Sequence, residues 1–183
     1  TDPLSGKLVV VFGGSGFLGT HVAQELLERG ARLRVASRHP EKAFSLKPLA
    51  NLGQLQFARC DITNRQSLAA CIEGAHAVIN LVGSFEGDQI ELMGRSAGRM
   101  AELARETGVA AFVQISAIGA DVEGDTGYAQ GKGLGEKLVQ EAFPKATIVR
   151  PSIIFGQDDN FLNMLADLIR LMPVLPEDDR RPH

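Results

Sequence analysis

The chain has few of the residues on which several classes of protein depend. Its 183 residues include two cysteines, one tyrosine and no tryptophan. Cys60 and Cys71 do not form a CxxC pair, and the histidine near them in the sequence is His76. We therefore expect neither a zinc site nor a disulfide framework, and we interpret both cysteines as buried apolar thiols.

Concentrated positive charge and long apolar runs are missing as well. The formal net charge is −3, and no segment interleaves basic with aromatic residues, so no nucleic-acid partner is expected. No run reaches the roughly 18 apolar residues of a membrane-spanning helix. The run KLVVVF at 7–12 is too short for an export signal and leads into a glycine loop, so it predicts a strand. A cytoplasmic location is expected, or the mitochondrial matrix if a transit peptide has been removed.

What the chain does contain is a regular alternation of strand and helix signals. Apolar runs predict strands at 7–12, 32–37, 54–60, 75–83, 110–117 and 145–151. Helical spacing predicts helices at 20–30, 65–74, 90–108, 126–143 and 159–172. Buried strands joined by helices indicate a parallel sheet covered on both faces. The expected fold class is α/β, a doubly wound parallel sheet (Rossmann fold) with strand order 3-2-1-4-5-6.

A glycine loop follows the first strand and opens the first helix. Gly13, Gly16 and Gly19 are spaced three residues apart in FGGSGFLG. Gly13 permits a tight turn, Gly16 lets the backbone approach a pyrophosphate, and Gly19 lets the helix pack against the sheet. Free amides at the helix start then face the anion, although an ordinary glycine turn is the alternative. The loop residues expected to bind a cofactor are Gly13, Ser15, Gly16, Phe17, Leu18 and Gly19.

The second strand ends at Ser37 and Arg38, where a site that prefers NAD usually has an acidic residue. The Arg38 guanidinium can pair with a 2′-phosphate and lie against an adenine ring. His39 and Lys42 add positive charge nearby, and a solvated arginine at a strand end is the alternative. The pair therefore favours NADP(H) as the cofactor, with NAD(H) less expected.

Other cofactor contacts are expected at the carboxyl ends of the later strands. Asp61, in CDIT, can accept a hydrogen bond from the adenine amino group; helix capping is its rival role, better filled by Thr63 or Asn64. Gly83, in NLVG, lets the backbone approach the cofactor. The remaining expected contacts are Ile62, Leu81, Val82, Lys132, Pro151 and Ile153.

The single tyrosine lies in a glycine-rich helix, in GYAQGKGLGE at 127–136. Tyr128 and Lys132 are four residues apart, which places both side chains on one face of a helix. A neighbouring ammonium group lowers the pKa of a phenol from about 10. The glycines are expected to let the helix lie close to the cofactor or to a partner's backbone. A buried tyrosine beside an exposed lysine is the alternative.

These motifs together resemble those of the short-chain dehydrogenase/reductase superfamily, in its extended or atypical branch. The markers, spread over about residues 7–172, are GGSGFLG, CDIT, NLVG, ISAIGAD, YAQGK and RPSIIFG. ISAIGAD, ATIVRPSIIFGQDDNF and MPVLP are most similar to the branch of the NADPH-binding 39-kDa subunit of respiratory complex I and its bacterial relatives. The resemblance implies that Tyr128 is the general acid/base and that Lys132 binds the nicotinamide ribose.

One residue departs from the pattern of the superfamily. A Ser or Thr hydroxyl at the end of the fifth strand usually holds the substrate carbonyl, and the extended branch commonly has two such residues, the second being catalytic. This chain has Ser116 followed by Ala117. Ser116 is the candidate catalytic hydroxyl, and it serves if the register differs by one.

Two functions stay open on the sequence. One is an oxidoreductase or epimerase-like enzyme that acts on a small-molecule substrate, which the intact Tyr128 and Lys132 favour. The other is a non-catalytic NADP(H)-binding subunit of respiratory complex I or another assembly, which Ala117 favours.

The expected domain organisation is an NADP(H)-binding domain at 1–157, followed at 158–183 by the start of a substrate region that is truncated or incomplete. In the superfamily the helices predicted at 90–108 and 126–143 commonly form a dimer seam. A homodimer is therefore a candidate assembly, although Gly94, Arg95, Gly98 and Arg99 leave no clean apolar stripe.

Overall fold

Six parallel strands form the centre of the fold. This computed structural model describes residues 2–14 and 16–151. The strands are β1 (Leu8–Phe12), β2 (Arg32–Ser37), β3 (Leu55–Arg59), β4 (Ala77–Asn80), β5 (Ala111–Ile115) and β6 (Thr147–Val149). They pair in parallel in the order β3-β2-β1-β4-β5-β6. The predicted doubly wound parallel sheet is therefore confirmed, with its strand order.

Helices connect successive strands. They are α1 (Phe17–Glu28), α2 (Arg65–Ile72), α3 (Ser96–Glu106) and α4 (Gly127–Ala142). Asn64 caps α2 by accepting from the Ser67 amide, and Thr126 caps α4 by accepting from the Ala129 amide. None of the described helices is both long and apolar enough to cross a lipid bilayer. The helix predicted at 159–172 lies outside the described residues.

Two segments differ from the sequence-based expectation. A 3₁₀ helix, Pro40–Leu49, follows β2 where no element was predicted. It contains Pro48, and proline disfavours the interior of a helix, so the sequence pattern does not indicate one there. The helix predicted at 90–108 begins as a π-helical segment, Ile90–Arg95, and becomes regular only at Ser96.

The sheet is buried on both faces. All five residues of β1 are buried, and the four from Val9 to Phe12 alternate between two apolar clusters. Val9 and Val11 pack with residues of α1 and the 3₁₀ helix, whereas Val10 and Phe12 pack with residues of α2, α3 and α4. This is why the strand has a continuous apolar run rather than an alternating one.

The glycines of α4 lie directly on backbone of the same chain. A Cβ added at Gly131 would lie 2.5 Å from the carbonyl oxygen of Gln89, and one at Gly133 would lie 2.5 Å from the carbonyl carbon of Asp121. A Cβ at Gly135 would collide with the carbonyl oxygen of Met93. The expectation that these glycines serve a cofactor or a partner backbone is therefore wrong, because the space beside them is filled from within the chain.

Two more glycines complete this packing from the opposite side. Added Cβ atoms at Gly94 and Gly98 would lie 2.8 Å and 2.9 Å from side-chain atoms of Leu134 and Leu138 on α4. These glycines thus receive leucines of the same chain, while the apolar side chains of α3, among them Met100 and Leu103, pack into the core. The homodimer stays a prediction.

We expect Gly135→Ala to destabilise the fold. Alanine is the better helix former, but its Cβ would force α4 away from the Met93 carbonyl, and overpacking of this kind costs about 1–3 kcal/mol. Urea unfolding measures the difference. Gly127→Ala is the matched control, because its Cβ meets only the flexible end of the Gln89 side chain. Equal stability of the two variants would contradict the packing argument.

Candidate functional site

A cavity of about 450 Å³ opens at the carboxyl ends of β1, β2 and β4. β1 lies between β2 and β4, so the connections on its two sides run in opposite directions and leave a crevice there. The volume falls within the roughly 300–1,000 Å³ typical of ligand sites. The cavity is lined by Gly13, Gly16, Leu18, Gly19, Ala36, Ser37, Arg38, His39, Lys42, Cys60, Ile62, Leu81, Val82, Gly83, Ser84 and Leu92.

The glycine loop forms one wall of this cavity. Gly13 has a φ of +77°, and an added Cβ would lie 3.0 Å from the backbone between Leu81 and Val82, so no other residue fits there without strain. Gly16 has open space beside it. Gly19 lies against the backbone of Gly14, so it packs α1 onto the loop itself rather than onto the sheet.

The start of α1 is suited to a negatively charged group. Gly16 is the N-cap residue, no side chain of the described residues caps the helix, and its first turn contains no acidic residue. The free amides and the helix dipole therefore point towards the cavity without a competing anion. The residues present fit the pyrophosphate of a dinucleotide.

The end of β2 supplies free positive charge. Arg38 and Lys42 are exposed and line the cavity, and Arg38 has no hydrogen-bond or ion-pair partner among residues 2–14 and 16–151. His39 lies beside them, with its Nδ1 3.2 Å from Glu41 Oε1. This end of the cavity fits a second anionic group, such as the 2′-phosphate of NADP(H).

Asp61 lies beside the cavity and not in its lining. Its Oδ1 accepts from the Thr63 amide at 3.0 Å and from the Thr63 hydroxyl at 2.7 Å. These hydrogen bonds lower the pKa of the Asp61 carboxyl, and the positive charge of Arg38 acts in the same direction. Asn64, not Asp61, caps α2, as the sequence favoured. The adenine contact of Asp61 stays a prediction.

Tyr128 and Lys132 meet beside Gly83, and neither side chain belongs to the cavity lining. A Cβ added at Gly83 would lie 3.8 Å from Lys132 Nζ and 3.9 Å from the Tyr128 hydroxyl. Gly83 itself lines the cavity. The one-turn spacing on α4 thus brings both side chains to a lining residue.

The phenol of Tyr128 is partly buried, and burial raises its pKa above the usual 10. This is opposite to the sequence-based expectation of a lowered pKa. The reason is geometric. Lys132 Nζ lies 6.0 Å from the centre of the Tyr128 ring, and its hydrogen bonds go to backbone carbonyls instead of to the phenol.

Lys132 is 3% exposed and joins two strand ends. Its Nζ donates to the carbonyl oxygen of Val82 at 2.8 Å and to that of Ile115 at 3.0 Å. Burial lowers the pKa of Lys132 to about 8, against the opposing effect of the Glu136 carboxylate. The alternative of an exposed lysine is wrong, and Lys132 lies behind the cavity lining, so its ribose contact stays a prediction.

Ser116 is buried one residue beyond β5. Its amide donates to the Val149 carbonyl at 2.7 Å, whereas its Oγ has no hydrogen-bond partner within the part of the chain that the structure describes. A buried hydroxyl without a partner is unusual and fits a site that a ligand or water completes. Ser116 follows directly after Ile115, whose carbonyl receives Lys132.

The remaining predicted residues are placed as follows. Pro151 is buried and does not belong to the cavity lining. Ser15, Ile153 and the side chain of Phe17 lie outside the described part of the chain. Ten predicted contacts do line the cavity: Gly13, Gly16, Leu18, Gly19, Ser37, Arg38, Ile62, Leu81, Val82 and Gly83.

Sequence reasoning missed four lining residues. Ala36, Cys60 and Ser84 each adjoin a predicted contact in the sequence, so extending each motif by one residue would have found them. Leu92 comes from the π-helical segment, for which the sequence carried no signal. Cys60 is a buried free thiol, as is Cys71, which confirms the interpretation of both cysteines.

The burial of Lys132 predicts a pH-dependent stability. Between pH 8 and pH 10 the unfolded chain keeps the Lys132 proton, whose ordinary pKa is 10.5, while the native chain has released it. The free energy of unfolding therefore rises with pH across this window, by about 2–3 kcal/mol relative to Lys132→Met. The window ends near pH 10.5, where the unfolded chain also releases the Lys132 proton.

Urea unfolding of the wild type and of Lys132→Met at several pH values tests this. If the difference in the free energy of unfolding between the two proteins stays constant from pH 8 to pH 10, the pKa of Lys132 is not lowered and the prediction is contradicted.

Several known proteins are similar to this chain. NADH dehydrogenase (ubiquinone) 1 alpha subcomplex subunit 9, mitochondrial, of Dictyostelium discoideum is 33% identical over 179 residues, covering 94% of this chain and 49% of that protein. Ceramide reductase of Caulobacter vibrioides is 31% identical over 173 residues, covering 92% and 53%. The chain thus spans about half the length of these curated relatives.

Solved structures have the same fold. A metagenomic short-chain oxidoreductase, in complex with NADP, matches with a TM-score of 0.74 and 21% identity over 92% of each chain. A family model described as NAD(P)H-binding matches residues 13–163, most of the chain and the whole of the cavity lining. The chain therefore belongs to the NAD(P)H-binding family, on the Rossmann fold of the short-chain dehydrogenases/reductases.

Proposed function

We propose that this chain is the cofactor-binding part of an NADP(H)-dependent reductase in which Tyr128 is the proton donor. The observation that carries the proposal is that the Tyr128 hydroxyl and Lys132 Nζ both lie beside Gly83, which lines the same cavity as the glycine loop. A ligand that filled this cavity would extend from an anion-binding loop to a proton donor.

Different residues would hold different parts of the cofactor. The amides at Gly16 would bind the pyrophosphate, and Ser37 with Arg38 would bind the adenosine end. Gly83 would lie at the nicotinamide end. When bound, NADP(H) would supply the hydride that a reduction needs.

The chain's own contribution is to hold and move a proton. The Tyr128 phenol, whose pKa burial raises above 10, is protonated at neutral pH, which suits a donor to a carbonyl oxygen better than a base that oxidises an alcohol. Ser116 Oγ, which has no partner among the described residues, would donate a hydrogen bond to the same oxygen. Lys132 would fix the ends of β4 and β5 behind that oxygen.

A second candidate function is a non-catalytic NADP(H)-binding subunit of a larger assembly. The specific observation in its favour is that both hydrogen bonds of Lys132 go to backbone carbonyls, which makes the lysine a structural residue. Ala117 in place of a second hydroxyl points the same way. The Dictyostelium relative is by name a mitochondrial subunit, so respiratory complex I in the matrix would be the corresponding assembly and location.

NADP(H) is the proposed cofactor in both cases, because of the free cation at Arg38. We expect Arg38→Asp to remove or reverse a preference for NADPH over NADH. A charge-assisted bond to a 2′-phosphate contributes about 1.5–3 kcal/mol, or roughly ten- to a hundredfold in affinity. Calorimetry with both cofactors measures it. Arg32→Asp, at the exposed opposite end of β2, is the matched control. Equal affinities of the wild type for NADPH and NADH would contradict the proposed preference for NADPH.

Tyr128→Phe separates the two candidate functions. In a reductase the kcat of the variant should fall about 10²–10⁴-fold, which is the usual contribution of a positioned proton donor, with little change in cofactor affinity. In a non-catalytic subunit neither protein turns over. The assay is NADPH oxidation by the full-length protein with quinones, aldehydes, sugar nucleotides and, following the Caulobacter relative, ceramide-class lipids. Unchanged kcat in the variant would remove Tyr128 from the reaction.

A further inference from the structure

Phe85 is an aromatic residue left largely in water, with its ring against Tyr128. It is 80% exposed, yet its ring centre lies 4.4 Å from that of Tyr128, with an angle of 13° between the ring planes. A stacked arrangement of this kind covers one face of the phenol. The neighbouring residues Gly83 and Ser84 line the cavity, so Phe85 stands at its edge.

The loop that carries Phe85 is tied down on both sides of the ring. Ser84 Oγ donates to the Glu86 carbonyl at 2.9 Å and accepts from the Glu86 amide at 3.1 Å. The Gln89 side-chain amide donates to the Ser84 carbonyl at 3.1 Å, and the Ser84 amide lies 3.4 Å from Met93 Sδ. These contacts hold Phe85 in place although its own side chain is exposed.

We propose that Phe85 is a positioning residue for Tyr128: its ring fixes the plane of the phenol and closes one face of it to water, while the hydroxyl stays directed at Gly83. The stack resists tilting of the phenol, and the hydrogen-bonded turn resists displacement of the stack. Exposure of the Phe85 ring to water is unfavourable in itself, and its effect on the Tyr128 ring explains why a phenylalanine is placed there.

The charges near Tyr128 do not account for its titration. Lys132, on the same helix, faces the ring at 6.0 Å, and Glu86 and Asp88 belong to the Phe85 loop. The raised pKa of Tyr128 follows from burial. Phe85 packs on the ring face and contributes to that burial, so its removal should let water reach the phenol and bring the pKa down.

The test uses the fact that this 183-residue chain has one tyrosine and no tryptophan. Its tyrosinate absorbance and its tyrosine near-UV circular dichroism therefore report on Tyr128 alone. Phe85→Ala should lower the midpoint of the tyrosinate titration and reduce the near-UV band. Phe85→Leu keeps apolar cover on the phenol without a flat ring. Its titration midpoint should therefore lie between those of Phe85→Ala and the wild type, and its near-UV band should be lost.

Phe44→Ala is the matched control. Phe44 is also a partly exposed aromatic residue in a ring pair, but its partner is Phe57, and its variant should leave both signals unchanged. Unchanged signals in Phe85→Ala, an equal change in Phe44→Ala, or a full near-UV band in Phe85→Leu would each overturn the proposal. Far-UV circular dichroism checks folding, and Phe85→Leu carries the test if Phe85→Ala does not fold.

The inference rests on the proposed function only for its effect on turnover. If Tyr128 is the proton donor, Phe85→Ala should lower kcat and shift its pH profile while the affinity for NADPH is kept. The titrations need neither cofactor nor substrate. If Phe85→Ala shifts the Tyr128 titration but the wild type turns over no substrate, only the reductase proposal is contradicted. If the wild type turns over a substrate but Phe85→Ala leaves the titration unshifted, only the role of Phe85 is contradicted.

Discussion

The buried ammonium group of Lys132 determines how α4 sits on the sheet. Its hydrogen bonds to Val82 and Ile115 join the carboxyl ends of β4 and β5. A charge buried this deeply is unfavourable unless it is hydrogen-bonded, so these carbonyls and the lysine constrain one another. The glycines at 131, 133 and 135 let α4 lie directly against the backbone of residues 89–93 and 121–122.

The wall of the cavity differs in chemistry between the phosphate side, at the glycine loop and Arg38, and the region beside Gly83. Among the described residues, no side chain caps the first amides of α1, and the Arg38 guanidinium at the end of β2 has no hydrogen-bond or ion-pair partner. At Gly83, the positive charge of Lys132 is already satisfied by the backbone, and the Tyr128 phenol stays neutral. The glycine loop is therefore suited to phosphate groups, whereas a neutral phenol stacked on Phe85 lies beside Gly83.

Several features were predictable because they follow from local pattern. The strand runs and the helix spacing gave the sheet order, and the glycines after β1 located the loop, because only glycine tolerates the backbone of Gly13. The Asn64 cap likewise needs only neighbouring residues. Features that depend on distant segments were not predictable. The role of the α4 glycines was assigned to a cofactor because the sequence does not show that the 89–93 and 121–122 backbone fills that space.

The sequence by itself determined the fold class, the glycine loop and the placement of Tyr128 and Lys132 on one helix face, because spacing along the chain dictates each of them. Only the tertiary structure decided the protonation behaviour of that pair. A lysine four residues from a tyrosine can lower the phenol's pKa, but here two carbonyls from other strands hold the ammonium, and Phe85 from another loop covers the ring. The burial of the Tyr128 ring comes from segments far apart in sequence, and this burial raises the pKa of Tyr128 above its usual value.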